Sequence, residues 1–207
     1  MNREEFLARL RARPAGRHLG EELAPPDLPP PPDDLVAAFE AQAAAAGCRV
    51  VEGSFGELRD ALRREVGDEK VLVGAEDEVQ RLCEGLGAVP AWEPFTAAFG
   101  VALADGALAR TGGTCFVRRP ASPLTPTLVP PRCAVLVPVS RLVWDLADYL
   151  REPPVGGSIA VVSGPSRSAD IENDLSIGVH GPGDVLLLVW RDDAEAADGA
   201  DHSSPSK

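Results

Sequence analysis

No two of the four cysteines, Cys48, Cys83, Cys115 and Cys133, stand close enough to form a CxxC pair. A zinc ribbon or an iron–sulfur run needs closely spaced thiolates, so neither is encoded here. Lysine is almost absent: two residues, Lys70 and Lys207, against eighteen arginines. Schiff-base chemistry requires a desolvated lysine in a pocket, and Lys70 opens a strand while Lys207 lies in a polar tail. The nucleotide and hydrolase signatures GxxxxGK, HExxH and GxSxG are missing. Gly85-Leu-Gly87 runs into Pro90, so it does not open a dinucleotide-binding turn. No cofactor and no metal are therefore expected. No apolar run is long enough to span a bilayer, and the N-terminus shows no signal-peptide core. With four unpaired cysteines, three of them in apolar stretches, this predicts a reducing, cytoplasmic setting.

Positive charge is also short. The net charge is −12 and the pI near 4.7. A nucleic-acid or anionic-membrane partner requires clustered basic residues, so neither is expected for the surface as a whole. A small anion gripped by one local arginine remains open.

What is present divides the 207 residues into three parts. Residues 1–13 read as a short amphipathic helix with Phe6, Leu7 and Leu10 on one face. Up to Arg17 this start carries five arginines against two glutamates. A Pro-rich stretch follows, from Pro14 to Pro32. It suits an extended arm, not a helix or central strand, so residues 1–32 form a basic helix and arm that can bridge to a second copy of the chain. Residues 33–190 form one α/β domain. Residues 191–207 are an acidic tail expected to be disordered.

Within the domain, Asp33 is the expected N-cap of a helix carrying Leu35, Val36 and Phe39, stopped by Gly47. Ser54 and Glu57 form a capping box ahead of Phe55, Leu58, Leu62 and Val66. Val79, Leu82, Cys83 and Leu86 recur at helical spacing, and a further helix is expected over Leu142–Leu150. Apolar runs at 48–51, 71–73, 133–137, 159–162 and 185–190 read as strands. The segment from Val101 to Val117 reads as two strands around a Gly turn. Strands that are continuous apolar runs, alternating with helices, predict a mostly parallel sheet with helices on both faces.

Ligands in open α/β sheets bind outside the carboxyl ends of the strands, and two segments suit that position. Thr111, Gly112, Gly113 and Thr114 offer a backbone that an anion can approach and two hydroxyl donors; a plain hairpin turn would use the same residues. The second segment, following strand 159–162, holds Ser163, Gly164, Ser166, Arg167, Ser168, Asp170 and Glu172. Read as a loop opening a helix, it would present free backbone N–H groups, with Arg167 holding a carboxylate or phosphate by paired hydrogen bonds. The alternative is a helix entry in which Ser166 or Ser168 caps and Arg167 pairs with Asp170 or Glu172. His180, within Gly178-Val-His-Gly-Pro182, suits a general base or a structural hydrogen bond. Asp170, Glu172 and His180 are thus the candidates for proton transfer, with no assignment among them.

The run from Ser163 to Glu172, followed by Gly178–Pro182, resembles the longest signature of the LUD (lactate utilisation) domain family, in its LutC/YkgG group. Ala104–Ala109 with Thr111–Thr114 resembles that family's ADxAIAETGT segment, and Val135–Val143 lies at matching spacing. The resemblance covers roughly 35–190 and is dense over 101–190. It implies a NagB/RpiA/CoA-transferase-like fold and a part in oxidising L-lactate to pyruvate beside iron–sulfur-type partner proteins, without a cluster in this subunit. Arg110 stands where the family usually has Glu, which puts an acidic role there in doubt. Two other readings stay open: a stand-alone isomerase or acyl-transferase-type enzyme, and a non-catalytic interaction protein.

Overall fold

Alternate residues of Cys133–Val137 and of Val185–Val189 enter two separate clusters of buried side chains. A strand covered on both faces has to be apolar throughout, and this pattern sets the centre of the molecule. The computed structural model describes residues 4–5, 29–119, 124–152, 158–169 and 175–191. The rest of the 1–32 arm, the tail beyond Arg191, and the candidates Asp170 and Glu172 lie outside the described residues.

Five strands, β1 (Arg49–Gly53), β2 (Val71–Val73), β3 (Phe99–Leu103), β6 (Arg132–Pro138) and β11 (Asp184–Trp190), form a wholly parallel sheet in the order β1-β11-β6-β3-β2. A four-stranded sheet in the order β7-β4-β5-β8 joins β4 (Gly106–Leu108), β5 (Gly113–Val117), β7 (Leu142–Val143) and β8 (Ile159–Val162). A hairpin pairs β9 (Arg167–Ala169) with β10 (Leu175–Ile177).

One face of the central sheet is covered by α2 (Phe55–Val66) and α3 (Asp77–Leu82), which bury Leu58, Leu62, Val66, Val79 and Leu82 against Val101, Leu136 and Leu188. The opposite face is shared by α1 (Leu35–Ala45), through Phe39 and Ala43, and by the second sheet, through Ala107 and Phe116. The mostly parallel α/β architecture holds, and the second face is a helix beside a sheet. Two further short helices are α4 (Thr125–Leu128) and α5 (Leu146–Tyr149).

Several local expectations are corrected. The N-cap of α1 is Asp34, whose carboxylate accepts from the Ala37 N–H at 2.9 Å, not Asp33. The Ser54–Glu57 capping box is present as expected. α3 ends at Leu82, and Gly85 at φ 82° turns the chain before Leu86 can extend it. The helix expected over Leu142–Leu150 is split: Leu142 and Val143 pair with Ala107 and Leu108 as β7, and the Asp145 carboxylate caps the one-turn α5 through the Ala147 and Asp148 N–H groups. Tertiary strand pairing outweighs helical spacing there. The run from Val101 to Ala109 breaks at Ala104-Asp105, where the chain leaves the central sheet for the second one.

A candidate site where two loops meet

Thr114 of β5 pairs with Val162 of β8, and its hydroxyl donates to the Val162 carbonyl at 3.3 Å. This pairing places the Thr111–Thr114 turn beside the Ser163–Arg167 loop, so the two predicted segments come together. Strand 159–162 is a partly exposed edge of the small sheet, not a buried strand of the parallel one. The chain after Ser166 forms a strand, not a helix, because Arg167–Ala169 pairs with Leu175–Ile177. The expected helix N-terminus is absent there, and neither Ser166 nor Ser168 caps a helix. Ser168 instead stands opposite Ser176 in the hairpin.

One glycine of each segment, Gly112 and Gly164, faces the C-terminal end of α1. Gly112, at φ 64°, lies so near that a Cβ would stand 2.6 Å from the Ala43 Cα. Gly164, at φ 78°, would bring a Cβ to 2.5 Å from the Ala46 carbonyl oxygen. Gly113 instead faces the hydroxyls of Ser163 and Thr111. Arg167 is exposed and donates from Nη2 to the Ala46 carbonyl at 2.8 Å. Its cation thus sits where unpaired helix carbonyls concentrate negative partial charge. Ser166 ties in the third motif. Its N–H donates to the Pro182 carbonyl at 2.8 Å and its carbonyl accepts from Gly178 N–H at 2.9 Å. Its hydroxyl accepts from the exposed His180 N–H at 3.3 Å. The bonds of Ser166 draw the Gly178–Pro182 loop over the Ser163 loop.

Under these loops is a cavity of about 110 Å³. Thr114, Gly164, Ser166 and His180 are among its lining residues, together with the apolar Phe116, Val135, Val185 and Leu187. Two thiols, Cys48 and Cys133, also line it. Cys133 and Val185 are neighbours at the start of β6 and β11, and Cys48 directly precedes β1. The cavity therefore opens against the amino half of the parallel strands, not outside their carboxyl ends as expected. The covering loops decide this, since they return from the small sheet on that side. Burial pushes the Cys133 thiol up to about 12. Burial also raises the Cys48 thiol, against the Gly164 N–H and the nearby Arg167 cation, which pull it down. Neutral thiols serve as apolar wall. Sequence reasoning missed these walls, since a cysteine in a strand looks the same whether it faces a cavity or a packed layer.

Arg110 lies in the β4–β5 turn, its N–H donating to the Trp144 carbonyl at 2.9 Å. Its Nε is buried with no hydrogen-bond partner among the described residues. Among the described residues no group of three His, Cys, Asp or Glu side chains is placed to hold a metal ion. No helix among them is long and apolar enough to cross a membrane.

Comparison with known proteins places this geometry in a family. The family model described as LUD domain matches residues 40–189, more than half of the chain. Lactate utilization protein C from Exiguobacterium sp. is 27% identical over 235 aligned residues, covering 92% of this chain and 96% of that protein. Its namesake from Anoxybacillus flavithermus is 26% identical over 182, covering 77% and 82%. The Escherichia coli protein YkgG is 26% identical over 184, covering 77% and 79%. Among solved structures, a DUF162 family protein from Deinococcus radiodurans has the same fold, with a TM-score of 0.58 at 21% identity over 75% of this chain and 96% of that one.

Proposed function

The chain belongs to the LUD domain family, and from there we propose that it works as a LutC-like component of a system oxidising L-lactate to pyruvate. In this reading it holds a small carboxylate, carries no iron–sulfur cluster of its own and acts beside iron–sulfur-type partner proteins. Relatives named Lactate utilization protein C, aligned along most of both chains, support the pathway. Four buried cysteines without a disulfide support a reducing compartment such as the cytoplasm.

The observation that carries the ligand class is the cavity beneath the joined loops, with apolar walls and a polar rim. Binding pockets fix orientation with a few polar groups and take their affinity from apolar contact. A short carboxylate fits that division: its methyl or methylene end lies among Phe116, Val185 and Leu187. Its anionic end lies at the rim, near the Ser166 hydroxyl and the Gly164 backbone; Arg167, next to Ser166 but outside the cavity lining, supplies the cation in this reading. Gly112 and Thr114 line the cavity, and Thr111, Gly113, Ser163 and Ser168 complete this reading as their neighbours in the two segments, outside the lining. Inorganic phosphate has no apolar part and gains nothing from such walls. Leu128, which lines the cavity, and Val179, next to His180, are 49% and 55% exposed, so the mouth has an apolar margin that a partner protein can cover.

Calorimetric titration with L-lactate, pyruvate and inorganic phosphate tests the reading. The carboxylates are expected to bind in preference to phosphate, and Ser166→Val and Arg167→Gln to abolish binding. Arg167→Gln removes one exposed bond at a helix C-terminus, so ligand-free stability should fall by no more than about 1 kcal/mol. Failure of both carboxylates to bind the wild-type protein refutes the assignment.

A further inference from the structure

The loop that leads into β3 carries two aromatic side chains that the fold does not use. Trp92 is 81% exposed and Phe95 88%, the highest values for large apolar side chains among the described residues. Neither ring stacks on another ring or lies against a cation among those residues. Ala88, Pro90 and Ala91 are exposed as well, so the run from Ala88 to Phe95 offers apolar surface interrupted by one charge, Glu93. A single exposed apolar residue is ordinary, whereas a contiguous patch marks a site of interaction.

The backbone beneath these rings is fixed. Both ends of the loop are tied to the start of β2: the Val89 N–H donates to the Val71 carbonyl at 2.8 Å, and the Ala98 and Phe99 N–H groups donate to the Lys70 carbonyl at 3.0 and 3.2 Å. Inside the loop the Glu93 N–H donates to the Pro90 carbonyl at 2.9 Å. The Glu93 carbonyl in turn accepts from the Thr96 N–H at 3.1 Å and from the Thr96 hydroxyl at 2.8 Å. Pro90 and Pro94 restrict two further φ angles. A partner therefore meets rings whose backbone is already ordered, which lowers the entropy cost of binding. The charge around them has one sign. Segments 67–70 and 84–97 hold four acids, Asp68, Glu69, Glu84 and Glu93, against the single base Lys70. The two segments adjoin, since a Cβ on Gly87 would stand 3.6 Å from the Glu69 carbonyl oxygen. Glu69 is neutralised by Arg132 at 3.0 Å. Glu93 makes no ion pair among the described residues.

We propose that this loop is a docking site for a partner protein that presents arginine or lysine within an apolar segment. Trp92 and Phe95 supply the apolar anchors, and the faces of both rings attract a cation. Glu93, between them in sequence, supplies the carboxylate that such a cation pairs with. The net charge of −12 draws a basic surface from a distance and repels nucleic acid and anionic lipid. A second copy of this chain is the poorer occupant, because a two-fold contact through the loop would bring two copies of Glu93 together. The site shares no residue with the lining of the cavity under Ser166 and does not depend on the function proposed for that cavity.

The probe is a dye-labelled peptide of sequence Leu-Arg-Leu-Leu-Arg-Leu, blocked at both ends, with two counterparts: one with glutamate for arginine, one with glycine for leucine. Fluorescence anisotropy with the full chain, at about 0.15 M salt to screen non-specific attraction, reads the binding. The arginine–leucine peptide is expected to bind, and each counterpart to bind about tenfold more weakly or less. Trp92→Ser and Phe95→Ser should each weaken it about tenfold or more. Glu93→Lys should abolish binding, and Glu93→Asp should keep most of it. The melting temperatures of the two serine variants should match the wild type, because exposed rings contribute little to folding. The proposal is overturned if the peptide does not bind the wild-type chain, or if it binds Trp92→Ser and Phe95→Ser as tightly. Equal binding of the glutamate peptide overturns it too, since the partner is then not basic. A wild-type dimer in sedimentation that Trp92→Ser dissociates would assign the loop to a second copy and equally overturn it. So would a fall in the melting temperature of both serine variants, which would make the rings part of the fold.

Discussion

Replacing Gly112 by alanine separates a turn shaped for ligand from a turn shaped for packing. At φ 64° the alanine would occupy the left-handed region, which costs an L-residue about 1–2 kcal/mol. Its Cβ would also stand 2.6 Å from the Ala43 Cα and from the Gln42 carbonyl carbon, where ordinary contact begins at 3.4 Å. Both atoms are backbone in α1, and Ala43 is fully buried, so relief requires the helix to shift. Overpacking of that kind adds about 1–3 kcal/mol, giving about 2–5 kcal/mol in all. A domain of this size loses about 2–4 °C per kcal/mol, so a fall of about 10 °C is expected. Gly113→Ala supplies the internal control. Its φ is not positive, and the added Cβ would meet the Ser163 hydroxyl at 2.7 Å, an exposed side chain that can rotate away. Its cost should stay at about 1 kcal/mol or less. Thermal unfolding followed by circular dichroism, with urea midpoints as a check, measures both. If Gly112→Ala melts like the wild type, or if the two substitutions cost the same, close approach to α1 is not what this glycine provides.

Two further outcomes are expected. Burial pushes the Cys83 and Cys133 thiols up to about 12 and Cys115 to about 11, so the folded state keeps them protonated. Their contribution to stability is complete below the unfolded thiol value of about 8.5 and is lost as the pH rises from there through the folded values. Urea midpoints should fall across that window, and iodoacetamide should label the native protein at pH 8 far more slowly than the unfolded chain. Labelling at the rate of a free thiol would contradict the burial. A chain beginning at Asp33 is expected to melt cooperatively, because the core clusters draw on Val36 and later residues; an insoluble product would mean that the arm belongs to the core.

The central strands were legible because a strand buried on both faces must be apolar at every position. Val71–Val73, Cys133–Val137 and Val185–Trp190 carry that mark without help from the rest of the chain. The Ser54 capping box was equally plain, since its residues interact within one turn of the backbone. Leu142 and Val143 were misread because their spacing also fits a helix, and only pairing with Ala107 and Leu108 decides for a strand. Arg167 was read as a candidate for holding an anion, and nothing near it in sequence points to Ala46, its hydrogen-bond acceptor 121 residues away.

Composition and local pattern by themselves determined a parallel α/β core, the absence of closely spaced metal-binding thiolates, and the three motif segments that come together. Tertiary structure alone decided which end of the parallel strands those segments occupy, because the small sheet carries them back to the amino ends of the strands. It also decided that Gly112 and Gly164 meet a helix, and that Trp92 and Phe95 stay exposed. Backbone preferences act over a few residues and leave their trace in nearby sequence. Close approach and convergence of side chains are set by the path of the whole chain.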